Sequence, residues 1–600
     1  MLATRDSQGN PRYQIWFDYT RNLVNEIREG DLVAIQNFAP IEDGVPYSVL
    51  SLTNVLPIHY ALGKTEEDLK GYPGHVMEAA KNIAKDWKDQ VDEPTEDVTK
   101  IVCEAVPTFL EFVDVPKGGV TDKPIQEETA IPMPGEEAKL LGRSMVSRIV
   151  NLGIDREKEN VISVGSLLRD DQIEVLLKVE DFIKVHFGIF GFTGVGKSNL
   201  LSTLIDRTLS SRETTKIVLL DVMDEYKGIL FDLFLRNEIF SELIILDVES
   251  LPGPVFDYIN GGYQKGIEEL AVRSFLDTLL LPRSLKSKTL LDAMRERTPE
   301  VLKKIRIVVE SRTVAELRSD LEAELLKGSI SPETRNAIRG ALDRIFGAEG
   351  DATLTPSKAR ELLNKHFPSG IGGVKPELKG TALTRIEAVE AELKRIAGSP
   401  EVKISDKLKT DIGSVISDLN DRRNPSLYVV SAFQPEAVLG FSAALAWSLF
   451  GTRRVRALTE PLVSFVADEG DLFIPASAEK ESETARAKAA IEMLSRRGRK
   501  FGIGVGIATQ RVAYLDTKTM GQLHTYFVSK LPRSYDRDAV SAAFGLSETQ
   551  FAPTFKFRSG EWLLVSHDAT GLKGVPIPIR APNAEDRIRA SLKIAKMVKD

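Results

Sequence analysis

Eight consecutive residues, Gly191-Phe192-Thr193-Gly194-Val195-Gly196-Lys197-Ser198, fit the spacing G-x-x-x-x-G-K-[ST] without a mismatch. Glycines in such a loop let backbone N–H groups converge on one anion, and a helix starting at its end adds partial positive charge. Lys197 is then placed to reach the β- and γ-phosphates of a nucleotide, and the Ser198 hydroxyl to hold Mg²⁺. The candidate nucleotide-contacting set is Gly191, Thr193, Gly194, Val195, Gly196, Lys197, Ser198 and Asn199. Hydrolysis also needs a metal-side carboxylate and a group that places water. The run Leu462-Val463-Ser464-Phe465-Val466-Ala467-Asp468-Glu469 supplies both: an apolar strand ending in two acids. Asp468 is expected in the Mg²⁺ shell, with Glu469 polarising the attacking water. The competing reading is an acid pair that caps the next helix.

Further groups fit the same chemistry. Gly502 to Ala508 reads as a glycine-rich strand ending in Thr509-Gln510, and an amide at its tip can sense a γ-phosphate or place water. Before it lies Arg496-Arg497-Gly498-Arg499-Lys500, which is either a source of one arginine for a neighbouring subunit's γ-phosphate or a solvated basic helix end. The acidic run Asp221 to Tyr226 closes an earlier strand. Either Asp221 or Glu225 could act on metal or water, or serve as a structural cap.

These groups need a sheet to carry them. Mostly continuous apolar runs predict strands at Val185–Phe190, Lys216–Asp221, Leu243–Asp247, Leu427–Ser431, Leu462–Asp468, Gly502–Thr509, Thr525–Lys530 and Glu561–Ser566. Separated by helices, they predict an α/β core with a largely parallel sheet. Residues 1–170 read as a small N-terminal β-barrel or sandwich, with a polar helical excursion near 65–91. The core is expected over 171–264 and 405–570. Helical periodicity dominates 265–404, from Ile267, Leu270 and Phe275 through Ile338 and Leu342 to Ile386 and Leu393, and reads as a helical insertion. A proline-marked arm, 571–600, closes the chain.

Bulk properties set limits. The chain has 600 residues, is 42% hydrophobic and 28% charged, and carries a formal net charge of -8, a globular profile with room for several cores. That acidic total argues against a surface coated for nucleic acid but allows a local basic channel. Cys103 is the single cysteine, so no internal disulfide can form and a reducing, cytoplasmic setting is expected. The N-terminal residues are polar, and the longest apolar stretch, Ala437 to Phe450, is too short to span a bilayer, so no membrane attachment is expected.

Taken in order, Val164-Gly165-Ser166-Leu167-Leu168, the 191–198 loop, Asp221 to Tyr226, Asp468-Glu469, Gly498-Arg499-Lys500-Phe501-Gly502 and Ala508-Thr509-Gln510-Arg511 resemble the HerA family of hexameric DNA-translocating ATPases in the FtsK–HerA superfamily. The resemblance implies a RecA-like P-loop ATPase core with an inserted helical bundle and an N-terminal barrel, using ATP and Mg²⁺. It implies Gln510 as γ-phosphate sensor and Arg499 as the finger acting in trans, with Arg497 second. It also implies a homo-hexamer with double-stranded DNA in a central pore, bound without sequence preference. A nuclease or Sir2-like effector docked on the N-terminal domain would serve DNA end processing or anti-phage defence. An alternative is an ATP-regulated hexameric scaffold that activates an effector without translocating. Two departures stand out: Asp224 where the family usually has glycine before Glu-Tyr, and Phe192 where a small polar residue is common.

Overall fold

The computed structural model describes residues 2–5, 11–18, 20–41, 44–59, 99–114, 125–308, 314–326, 330–347, 352, 354–367, 381–398, 403–480, 482–546 and 548–597. The expected helical excursion near 65–91 lies outside them. The chain divides into two compact units, one of 1–258, 264–305 and 412–600, the other of 259–263 and 306–411.

The first unit opens with an antiparallel sheet of half-barrel type. Its strands are β1 (Leu2–Arg5), β2 (Pro11–Asp18), β3 (Leu32–Gln36), β4 (Val45–His59), β5 (Thr99–Asp114), β6 (Ile125–Glu127) and β7 (Ala138–Leu140). They run in the order β1-β2-β5-β4-β3-β7, with β6 beside β5. Alternating residues Ile15, Val33, Ile35, Leu50, Leu52, Ile101 and Cys103 form its core.

The large sheet carries the chemistry. Its strands are β8 (Val161–Leu167), β9 (Glu174–Lys178), β10 (Phe187–Phe190), β11 (Thr215–Leu220), β12 (Phe240–Ile245), β13 (Ser426–Ser431), β14 (Leu462–Ala467), β15 (Ile503–Thr509), β16 (Thr525–Val528), β17 (Glu561–Ser566) and β18 (Ile577–Arg580). Within this unit they lie in the order β12-β13-β11-β14-β15-β10-β16-β17-β18-β8-β9. From β12 to β16 every pairing is parallel. From β16 onward the pairings are antiparallel. All residues of β11, β13, β14 and β15 are buried, as expected for parallel strands covered on both faces. This is the RecA-like arrangement, with β10 between β15 and β16.

Two expectations change here. The N-terminal domain does not extend to 170: β8 and β9 join the large sheet through β18, where Ile579 faces Leu167. The boundary expected at 265 falls at 306, because helices Lys265–Thr278 and Lys288–Leu302 belong to the first unit. Met294, Val301 and Leu302 are buried there, whereas Leu270 of the proposed apolar stripe is exposed. The proline-marked arm is packed over its described length. Its first part is strand β18, and helix Ala584–Met597 buries Ile588 and Leu592.

The second unit is built from helices Val314–Leu325, Pro332–Phe346, Pro356–His366 and Thr381–Gly398, with a short parallel pair in which Ile307 faces Lys409. Leu317, Leu321, Ile338, Leu342, Ile386 and Leu393 form its core, at the spacing the sequence showed. Ser331 caps the second of these helices by accepting from Thr334 N at 3.2 Å, and Pro332 follows at its first position.

Strand β10 is joined to its neighbours by His186, which is buried with φ +64°. Val505 N donates to its Nδ1 at 3.0 Å, so Nε2 carries the proton and donates to Ser495 O at 2.9 Å. Burial pushes the pKa of this imidazole down to about 4, with His524 and Arg499 adding to the effect and the Ser495 bond opposing it. The folded chain therefore binds fewer protons than the unfolded chain between that value and the ordinary one near 6.5. The contribution is intact above pH 6.5 and lost as pH falls toward 4, up to about 3 kcal/mol. His186→Asn keeps a donor, an acceptor and tolerance of positive φ. Denaturant titrations at pH 7 and pH 4.5 should show a smaller loss of stability for His186→Asn than for wild type.

Candidate active site

The loop after β10 is fixed from several directions. Phe192 N donates to Lys530 O at 2.9 Å, Gly560 N donates to Val195 O at 2.9 Å, and Gly191 N donates to Thr509 O at 3.4 Å. Gly194 and Gly196 have φ of +84° and +97°, a backbone that residues with Cβ avoid. Gly196 caps helix Lys197–Leu209, so the free N–H groups and positive dipole of that helix face the loop. Lys197 and Ser198 occupy its first turn. This is an anion cradle with a cation at its mouth.

The carboxylates arrive from β11 and β14. Asp468 is buried at the end of β14, and Glu469 follows with φ +49°. Asp221, at the end of β11, is fully buried and accepts from Glu225 N at 3.0 Å and Tyr226 N at 2.9 Å. Asp221 is thus the cap that shapes the turn, and Glu225 is the acid the turn presents. Ser198 Oγ donates to Glu225 Oε2 at 3.1 Å. Asp224 occupies the position where the resembling family has glycine, and its φ of +57° explains the preference. Aspartate tolerates this backbone better than most residues, and here Lys227 Nζ holds its carboxylate at 2.6 Å.

Gln510, just after β15, links the loop to the acids. Its Nε2 donates to Glu469 Oε1 at 3.3 Å, and its Oε1 accepts from Thr193 Oγ1. Gln510 thus joins the phosphate loop at Thr193 to Glu469 through one amide.

The field at this edge is negative. Burial above all raises Asp468 to about 7, with Glu469 and Glu225 adding to it and Lys197 opposing. Burial likewise raises Asp221 to about 7, and Asp224 and Asp468 contribute. Glu469 is raised by burial, against the pull of Lys197. Crowded acids offset by one lysine fit a divalent cation held by Ser198 and Asp468, and a raised Glu469 makes a better proton acceptor. Among the described residues, no cluster of three or more His, Cys, Asp or Glu is arranged to hold a metal unaided. A Mg²⁺ that arrives with phosphate oxygens as ligands needs no such cluster.

Two predicted site residues lie elsewhere. Asn199 does not face the cradle: its Nδ2 donates to Pro582 O at 2.9 Å and its Oδ1 accepts from Ala584 N at 2.8 Å. Its position beside Ser198 on the helix turns the side chain by about 100° from the serine, toward the C-terminal segment. Arg499 is exposed in the turn Gly498–Phe501 before β15. Gln510 lies past the other end of that strand, whose residues Ile503–Thr509 span roughly 23 Å. Arg499 therefore cannot reach its own phosphate loop. The turn is rigidly built: a Cβ on Gly502 would lie 2.0 Å from Thr459 O, and buried Arg453 donates to Phe501 O at 2.8 Å. Arg496 and Arg497 are also exposed, on the same side.

Sequence reasoning missed the Arg558-Ser559-Gly560 turn, which contacts the loop through Gly560 N and approaches Gly196 through Ser559 Oγ. A glycine before a strand marks a turn, but nothing local says where that turn docks.

A phosphate loop after one parallel strand, acids after two others and a polar sensor on the strand between define a RecA-like P-loop nucleotide-binding protein. Residues 162–420 match the family described as helicase HerA, central domain. Over those residues the chain is similar to the HerA family of ATPases. It is 21% identical over 387 residues to the DNA double-strand break repair helicase HerA of Pyrococcus furiosus, covering 64% of this chain and 63% of that protein. It is 22% identical over 405 residues to the probable helicase MJ1565 of Methanocaldococcus jannaschii, covering 67% and 64%. The chain thus matches less than two thirds of the length of either relative. Among solved structures, VirB4 of Thermoanaerobacter pseudethanolicus aligns with TM-score 0.38 and 15% identity, over 72% of this chain and all (100%) of that one. The bacterial conjugative coupling protein TrwBdeltaN70 aligns with TM-score 0.35 and 15% identity, over 74% and 92%. Among the described residues no helix is long and apolar enough to cross a membrane.

Proposed function

We propose that this chain hydrolyses ATP and uses the energy to move along double-stranded DNA as a ring, with each active site completed by the next subunit. The observation that carries this reading is the separation of the two halves of the chemistry. Lys197, Ser198, Asp468, Glu469 and Gln510 converge at one sheet edge, while Arg499 stands exposed on a rigid turn at the other. In a head-to-tail contact one subunit's Arg499 edge faces its neighbour's phosphate loop, and repetition of that contact closes a ring.

In this site the loop N–H groups and Lys197 hold the β- and γ-phosphates. Ser198 and Asp468 would hold a Mg²⁺ ion, which would neutralise charge on the phosphoryl oxygens. Glu469 accepts the proton of the water that attacks the γ-phosphorus as the bond to the bridging oxygen breaks. Gln510 orients that water or the γ-phosphate, and Arg499 of the next subunit stabilises the charge that develops. Ring size, the hexamer included, and a nuclease or other effector on the N-terminal sheet are parts of the same proposal.

The motor reading is tested by ATP turnover with and without linear duplex DNA. Stimulation of about tenfold that fades as salt rises from 50 to 300 mM is expected, because phosphate contacts release counterions. Turnover indifferent to DNA, with activation of a bound effector, would replace the motor with a scaffold.

A further inference from the structure

The C-terminal segment reaches the active site from behind, in the same chain. Ala581 N donates to Gly560 O at 2.9 Å, and Gly560 N in turn donates to Val195 O of the phosphate loop at 2.9 Å. Pro582 O and Ala584 N take up both ends of the Asn199 amide, next to Ser198. Arg587 then inserts between two helices. Its Nη1 donates to Ser202 O at 3.0 Å and its Nη2 to Ile229 O at 2.9 Å. Ser202 is one turn beyond Ser198, and Ile229 is one turn beyond Glu225. One guanidinium thus ties the two backbones one turn behind the Ser198–Glu225 contact. Asp232, fully buried, lies 3.2 Å from Arg587 Nε, and Asp206 lies 3.9 Å from Nη1. Arg236 bridges the same two acids at 2.8 and 3.6 Å, so the fork is held from both sides.

We infer that Arg587 is a positioning residue for ATP hydrolysis, setting Ser198 and Glu225 at the spacing that metal-bound nucleotide requires. This rests on the ATPase reading above. A planar fork that donates to two diverging carbonyls is a task for arginine, and lysine keeps the charge without the second directed bond. Displacing one helix by about 1 Å at a catalytic contact costs on the order of 100-fold in rate. The segment from Ala581 to Leu592 therefore acts as a strut for the site.

The test uses the full chain with Arg587→Lys, Asn199→Ala and both together. Thermal midpoints, ATP kinetics and affinity for a non-hydrolysable ATP analogue with and without Mg²⁺ are measured. For Arg587→Lys at an unchanged midpoint, kcat should fall about 10- to 100-fold with KM for ATP within about threefold. The Mg²⁺-dependent gain in analogue affinity should shrink about tenfold, while metal-free affinity holds. Asn199→Ala should show the same pattern more weakly, and the double variant should fall short of the product of the singles. Wild-type kcat and Mg²⁺ dependence in Arg587→Lys would overturn the inference, as would losses in either variant that only track its unfolded fraction. A wild-type chain that binds the analogue but never turns over ATP would remove the ATPase reading. The Mg²⁺-dependent affinities would still decide the role of Arg587.

Discussion

Glu469→Gln should bind ATP at least as tightly as wild type and hydrolyse it about 100- to 10,000-fold more slowly, the range for losing a positioned general base. The substitution is close to isosteric. The side-chain oxygen that accepts from Gln510 Nε2 at 3.3 Å remains, so the sensor contact can persist. What disappears is a carboxylate that can take a proton, and with it a negative charge near the phosphates. Burial raises the pKa of Glu469, which matches it to that task. Retained binding separates this result from misfolding, and nucleotide affinity measured beside steady-state turnover checks it. Turnover near the wild-type rate would move the base elsewhere, with Glu225 the next candidate because it already contacts Ser198.

Arg499→Ala should lose about 1,000-fold or more in turnover, as expected for an arginine that meets developing phosphoryl charge from a neighbouring subunit. Its ATP affinity should change little, since its own loop lies at the far end of β15. Arg499 is exposed, and its turn is braced by Gly502 and Arg453 rather than by its own guanidinium. The fold should therefore tolerate the change, with a thermal midpoint close to wild type. Arg497→Ala, from the helix end beside it, is the control and should cost less.

The parts of the site that a single segment encodes were legible in the sequence. Gly191 to Ser198 carries its own backbone requirements, β14 ends in its acids, and Gln510 ends a strand as its pattern implied. What escaped was set by distant pairing. Strands β8, β9 and β18 extend the large sheet because Ile579 meets Leu167, a contact between residues far apart in the chain. Helices Lys265–Thr278 and Lys288–Leu302 have the period of helices, but period does not say which unit they pack on. Asn199 shows the same limit at one residue. Adjacency to Ser198 suggested a ligand, whereas the helical rotation gives it to the C-terminal segment. Arg587 lies in the proline-marked closing segment, and only the folded chain brings it beneath Ser202 and Ile229. Asp224 runs the other way: a departure from the family pattern became a conformational requirement once its φ of +57° was known.

The central claim is that each nucleotide site is completed by the next subunit, and subunit mixing tests it most directly. Arg499→Ala and Glu469→Gln are each nearly inactive alone. They are combined in equal amounts, exchanged, and assayed for ATP turnover with duplex DNA present. At an interface where the Arg499→Ala chain supplies Glu469 and the Glu469→Gln chain supplies Arg499, the site is whole. Random mixing then predicts recovery to on the order of a quarter of the wild-type rate. A mixture no more active than its components, in rings shown to have exchanged subunits, would contradict the shared site.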